Sequence, residues 1–265
     1  MFTIVGELIN GTRNAVREAI ADRNVEEIRR LGRRQADAGA QVIDLNAGES
    51  AERELEDLLW LIETVEAELG GGTQLAIDTS SPGVMAKAIA ACSLPPVINS
   101  ISNEAAKKEL IDVAAESDCD VIGLAMGEAG MPQTSEDRVS ETGALVEKCE
   151  RAGIPLDRLY VDLICMSVAA SQGQGRELLD AVRAVRERFP VKTLVAVSNV
   201  SFGLPDRRAL NRTFLAMLVE AGLDAAILDP TDAETRMALC AARALVGADS
   251  YCMDYIRNHR ARTSG

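Results

Sequence analysis

The sequence predicts a (β/α)8 TIM barrel forming one domain over residues 1–265. Two observations carry that expectation. Eight short aliphatic runs alternate with amphipathic segments, and no Gly/Ser/Pro-rich linker or low-complexity block interrupts them across the 265 residues. Strand alternating with helix implies parallel pairing, and eight such units in roughly 250 residues suit a closed barrel better than an open doubly wound sheet.

The runs that read as strands are residues 2–5, 41–45, 73–77, 96–98, 120–124, 158–161, 192–197 and 223–228. Each is short, apolar and rich in β-branched side chains, as buried parallel strands are. Between them, residues 24–38, 52–69, 103–115, 135–152, 175–189, 207–221 and 232–246 return apolar side chains every three or four positions, the period of a helix with one buried face. Glycines at 39, 70–72, 153 and 222 mark the turns where a helix stops and the next strand starts.

Hydrophobic residues make up 47% of the chain but aromatics only 3%, so the core has to be aliphatic. The net charge of −13 offers no broad basic surface, so nucleic acid is not an expected partner. The N-terminus runs directly into the first strand, without the basic and apolar regions of a secretion signal. No segment approaches the roughly 20 apolar residues of a membrane span. The six cysteines are scattered with no CxxC pair, which reads as reduced packing residues in a cytoplasmic protein.

The chemistry is concentrated where the apolar runs end. Glu7 and Asn10 follow the first, Asp44 and Asn46 close the second, and Asp78 and Asn99 end the third and fourth. Met126 follows the fifth, then Asp162, Ser198 with Asn199, and Asp229. In a barrel all these positions reach the C-terminal mouth, where this fold keeps its active sites. Any one such Asp or Asn is ordinary as a turn or cap. Seven of the eight ends carrying Asp, Asn or Glu points instead to a site, because caps would sit later and include more Ser and Thr. Carboxylates and carboxamides together suit a flat heterocycle with an amino-amide edge.

Other chemistries lack their residues. The loops after the seventh and eighth runs have no glycine-rich anion nest, which disfavours phosphate. The only histidine, His259, lies in a basic C-terminal stretch, so neither a zinc site nor a nucleophilic triad is expected.

Gly-Glu-Leu-Ile-Asn at 6–10, Asp-Leu-Asn-Ala-Gly at 44–48, Ile-Asp-Thr at 77–79, Ile-Asn-Ser at 98–100, Tyr-Val-Asp at 160–162, Ser-Asn-Val-Ser at 198–201 and Asn-Arg-Thr-Phe at 211–214 resemble the methyltetrahydrofolate:corrinoid methyltransferases. The same barrel occurs in cobalamin-dependent methionine synthase and dihydropteroate synthase. The resemblance implies that Asp78, Asn99 and Asp162 hold the pterin edge of 5-methyltetrahydrofolate. It further implies that Ser198 and Asn199 flank N-5, with Asn199 hydrogen-bonded to it, and that Arg207 lies near the ring. Glu7, Asp44 and Asn46 complete the expected substrate-binding ring. The corrinoid (cobalamin) is expected on a separate partner protein, the chain as a homodimer, and no metal in the barrel itself.

Two residues depart from the family pattern. Leu8 stands where relatives often have arginine, and Phe202 closes the loop where some have a polar residue. Phe202 reads equally as a surface for pterin or corrin and as loop packing. The rival readings are a dihydropteroate-synthase-like enzyme, which needs basic residues at the mouth for pyrophosphate, and a non-catalytic folate-binding subunit.

Overall fold

The computed structural model describes residues 2–48, 52–70 and 72–263; Gly71 of the glycine run lies outside the described residues. The elements in chain order are β1 (Thr3–Asn10), α1 (Asn14–Ala21), α2 (Val25–Asp37), β2 (Val42–Asn46), α3 (Glu54–Leu69), β3 (Gln74–Asp78), α4 (Pro82–Ala91), β4 (Val97–Ser102), α5 (Lys108–Ala115) and β5 (Asp120–Leu124). They continue with α6 (Ser135–Ala152), β6 (Leu159–Asp162), α7 (Gln174–Arg188), β7 (Lys192–Ala196), α8 (Arg207–Ala221), β8 (Ala225–Leu228), α9 (Ala233–Leu245) and α10 (Met253–Thr263). All neighbouring strands pair in parallel, and β1 pairs with both β2 and β8, which closes the barrel. No described helix is long and apolar enough to cross a membrane.

Two aliphatic layers hold the fold. The larger lies between the strands and the helices and contains Ile9, Ile43, Leu45, Ile77, Ile98, Val161 and Leu215 among others. The smaller plugs the barrel axis: Val5, Val42, Ala76, Val97, Ile122, Leu194 and Ala225. Successive strand residues point to opposite faces, so that plug fixes which later residues also face inward. Counting two onward from Val5, Val42, Ala76 and Val97 gives Glu7, Asp44, Asp78 and Asn99. Asn46 lies four beyond Val42, and Asp162 two beyond Tyr160, which packs on the plug. One parity rule therefore sends the candidate ring into the barrel above an apolar floor.

The structure differs from the sequence expectation at several places, among them β4, which runs on from the expected end at Ile98 to Ser102 through an irregularity between Asn99 and Ile101. β1 runs to Asn10 instead of stopping at Val5, because a bulge sets Gly6 beside Ile43 but Ile9 beside Leu45. That bulge leaves the Leu8 N–H without a strand partner. The buried Gln35 side chain of α2 accepts it at 2.9 Å, and Gln35 fits only because residue 6 has no Cβ. The seventh run ends at Ala196 and turns into a 3-10 coil over Val197–Ser201. Finally α1, α4 and α10 add to the helices read from periodicity. α4 is a ten-residue helix started by the Ser81 cap and Pro82, too short and too evenly apolar to show a clear period.

Candidate functional site at the barrel mouth

The mouth is stitched across strands. Asn46 donates from Nδ2 to Asp78 Oδ2 at 2.8 Å, and its own Oδ1 accepts from the Gly48 N–H at 2.8 Å. Asn99 donates from Nδ2 to Asp44 Oδ1 at 2.9 Å. Asp162 Oδ1 accepts from the Ile164 N–H at 2.9 Å. Among the described residues, Asp44 Oδ2, Asp78 Oδ1, Asp162 Oδ2 and Asn99 Oδ1 have no partner inside the protein. The ring thus presents open oxygens from β2, β3, β4 and β6; those of Asp78, Asn99 and Asp162 accept N–H groups from a ligand, while Asp44, kept protonated up to about 8 by burial, holds an O–H.

The loops that carry this ring pack backbone to backbone. The Gly11 N–H donates to Asn46 O at 2.8 Å, and a Cβ on Gly11 would lie 2.6 Å from the Ala47 carbonyl carbon. Glycine at this position is what lets the end of β1 press against the Asn46 turn.

The carboxylates are held in a dry environment with little positive charge. Burial, then the neighbouring Asp78 carboxylate, push Asp44 up to about 8, and burial raises Asp78 too. Burial raises Asp162 to about 6, against the pull of the Ile164 N–H and of Arg138. Glu7 is also raised by burial, although Arg13 sits 3.2 Å away and Ser198 Oγ donates to it at 3.3 Å. Glu7 alone of these four forms an ion pair among the described residues. Such a site favours a neutral, donor-rich guest over an anion. The described residues contain no group of three or more His, Cys, Asp or Glu placed to hold a metal ion.

The β7 end supplies a second kind of group. Asn199 is exposed on the 3-10 turn, and its carboxamide has no hydrogen bond to the described residues. Arg207, at the first position of α8, is committed to that turn: Nη2 donates to Ser198 O at 2.7 Å and Nε to Ser201 Oγ at 3.1 Å. Its guanidinium lies 5.6 Å from the ring of Phe202, which is 68% exposed. A cleft of about 260 Å³ opens beside the turn, lined by Glu7, Arg13, Ser198, Arg207, Arg208 and Asp229.

The structure thus gathers Glu7, Asp44, Asn46, Asp78, Asn99, Asp162, Ser198, Asn199 and Arg207 at one mouth, with Arg207 built into the loop. Leu8 does not belong there: it is buried in the layer between strands and helices. The arginine-to-leucine departure therefore removes nothing from the ring. Gln35 and Arg138 were not apparent in the sequence, because a polar residue on an amphipathic helix reads as solvated; both are fully buried.

A parallel barrel whose mouth offers carboxylate and carboxamide acceptors over an apolar floor suits a small, flat, N–H-rich heterocycle. Residues 6–229 match the family described as pterin binding enzyme, and the chain belongs to it. Over 261 residues the chain is 31% identical to a methylcorrinoid:tetrahydrofolate methyltransferase of Eubacterium limosum, covering 97% of this chain and 96% of that one. A methionine synthase of Mycobacterium leprae (strain TN) is 26% identical over 243 residues, which is 85% of this chain but 20% of that protein. Among solved structures, a Yersinia pestis dihydropteroate synthase with a pterine-sulfa conjugate superposes with a TM-score of 0.74 at 18% identity, covering 93% and 94% of the two chains. The dihydropteroate synthase of Xanthomonas albilineans with 4-aminobenzoic acid gives 0.73 at 25% identity, covering 92% of each.

Proposed function

We propose that this enzyme moves the N-5 methyl group between 5-methyltetrahydrofolate and the cobalt of a corrinoid carried by a separate protein. The observation that carries this reading is the end-to-end match to the Eubacterium limosum methyltransferase. The dihydropteroate synthases match at 18–25% identity, and of the three arginines that line the cleft Arg207 is engaged by Ser198 and Ser201 and Arg13 by Glu7, which leaves Arg208 to meet a pyrophosphate.

In this reading the pterin edge meets the free oxygens of Asp78, Asn99 and Asp162. Asn46 holds Asp78 and Asp44 holds Asn99, so these two act behind the contact residues. The ring then extends toward the β7 turn, where the Asn199 carboxamide faces N-5. A tertiary amine leaves poorly, so a hydrogen bond that strengthens as the carbon–nitrogen bond breaks lowers the barrier. Arg207 keeps the turn in place by bonding Ser198 O and Ser201 Oγ, and Ser198 Oγ ties it to Glu7. The corrinoid supplies a cobalt that takes or gives the methyl group. The exposed apolar side chains of Phe202 and Met131, on the β7 and β5 loops, suit the flat face of such a macrocycle.

The chain is read as one pterin-binding unit over residues 1–265, acting as a cytoplasmic homodimer; sedimentation velocity checks the dimer. The reaction is checked by mixing the protein anaerobically with cob(I)alamin and 5-methyltetrahydrofolate. Enzyme-dependent decay of the cob(I) absorbance is expected. Tight folate binding without that decay would leave only a folate-binding subunit.

A further inference from the structure

We propose that Arg138, on the outer helix α6, is the positioning residue that sets Asp162 for the pterin, acting through the Leu163–Ile164 peptide. The inference rests on the reading above that Asp162 meets the pterin edge.

Arg138 is fully buried, and its guanidinium bonds only neutral acceptors. Nε donates to Leu163 O at 2.8 Å and Nη2 to Ile164 O at 3.0 Å, the two carbonyls that directly follow Asp162. Nη2 also donates to Gln174 Oε1 at 2.9 Å, and Nη1 to Thr134 O at 3.0 Å. No described carboxylate pairs with it. An unpaired buried cation is expensive, and an outer-helix position with no ion pair has no need of one.

The segment it grips explains the cost. Ile164 has φ of 55°, a conformation β-branched residues avoid. Such a backbone persists only where its surroundings over-determine it. Leu163 O and the Ile164 N–H belong to one planar peptide, so the carbonyl that Arg138 Nε holds sets the direction of the N–H that donates to Asp162 Oδ1 at 2.9 Å. That bond fixes the carboxyl rotation and leaves Oδ2 for a ligand. The planar guanidinium fork spans both carbonyls at once, which a point-charge ammonium cannot reproduce. Its positive charge also favours ionised Asp162, the form that accepts N–H donors.

A purely structural role, stitching α6 to the start of α7 through Gln174, would lower stability and leave affinity alone. The test compares wild type with Arg138→Met, Arg138→Lys and a control, Thr142→Ala. Thr142 is buried one turn along α6 and its side chain bonds only Arg138 O, at 2.7 Å, so its loss perturbs α6 at the same place without removing any bond of the guanidinium. Calorimetric Kd is measured for 5-methyltetrahydrofolate and for 6-methyltetrahydropterin, which lacks the tail, beside the saturating single-turnover rate and Tm. Expected for Arg138→Met is a Kd about tenfold or more weaker for both probes, with the saturating rate within about threefold because the Asn199 step is untouched. Thr142→Ala should lower Tm with Kd unchanged. Arg138→Lys should show an intermediate Kd, and it carries the test if Arg138→Met does not fold. Wild-type Kd in a folded Arg138 variant, or an equal Kd loss in Thr142→Ala, overturns the proposal. Failure of the wild type itself to bind either probe would instead overturn the pterin reading, and this inference with it.

Discussion

Asn99 on β4 reaches over β3 to Asp44 on β2, its Nδ2 2.9 Å from Oδ1. The strand it crosses carries Ala76 at that level, level with Asp44 on one side and Val97 on the other, and a methyl group leaves the path open. Asn46 bonds Asp78 one strand nearer. The buried Asp44 and the half-buried Asp78 thus stand side by side, each tied to a neutral amide and, among the described residues, neither ion-paired to a cation.

That arrangement predicts how stability follows pH. Asp44, held up to about 8, and Asp162, up to about 6, stay protonated in the folded state above the pH at which an unfolded Asp, near 3.8, has ionised. The folded protein therefore binds more protons than the unfolded chain between those limits, and stability falls as pH rises through the window from about 4 to about 8. Asp137, Asp232 and Asp249 are shifted down, so their opposite effect lies below that window. Scanning calorimetry of the ligand-free protein should give a Tm that drops from pH 5 to pH 8. Asp44→Asn, which cannot ionise, should flatten the drop. A Tm that rises over this range would contradict the burial argument.

Asp162→Ala should weaken folate binding by about 1–3 kcal/mol, the cost of leaving a buried ligand donor without its acceptor. Ile164 also loses the acceptor of its N–H, so part of the effect will appear as lower stability. Titration calorimetry with 5-methyltetrahydrofolate separates the two, and unchanged affinity would remove Asp162 from the pterin contacts.

The barrel was legible in the sequence because both its signals are local. Aliphatic runs must pass through a dry wall, and polar residues must begin where the wall ends. The polar positions that ring the mouth were legible for the same reason, since Asp44, Asp78, Asn99 and Asp162 each sit two residues beyond an inward-facing plug or floor residue. What could not be read is what acts across elements. Gln35 and Arg138 look solvated on their helices until the strands beside them prove to have a bulge and a left-handed residue needing partners. Arg207 was placed at the right end of the barrel, but only the three-dimensional structure shows its fork turned toward the Ser198 loop.

Two glycine substitutions should have opposite effects. Gly11→Ala puts a Cβ 2.6 Å from backbone atoms of Ala47 and Gly48, a clash no rotamer relieves, so the β1 and β2 loops must separate and Asn46 must shift. Overpacking of this kind typically costs about 1–3 kcal/mol, and folate affinity should fall with it. Gly83→Ala, in α4 with nothing within 4 Å of the new methyl, should raise stability by about 0.4–1 kcal/mol. Denaturant midpoints measure both changes. Equal, small effects would mean that the two loops are less tightly packed than their geometry indicates.

Asn199→Ala should lower turnover while sparing both stability and most of the affinity. Its carboxamide bonds no described residue of the protein, so deleting it leaves nothing unpaired inside and should not move Tm. The edge contacts of Asp78, Asn99 and Asp162 remain to hold the ring, so Kd should change little. At N-5, by contrast, hydrogen-bond demand grows as the methyl departs and electron density returns to nitrogen. A group that acts mainly in the transition state lowers the saturating rate more than the affinity when removed. If this donor is worth about as much as one oxyanion-hole donor, the single-turnover rate at saturating 5-methyltetrahydrofolate should fall roughly 10²–10³-fold. A turn residue with no part in the chemistry predicts a near-normal rate in the same assay, and that result would place N-5 elsewhere in the mouth.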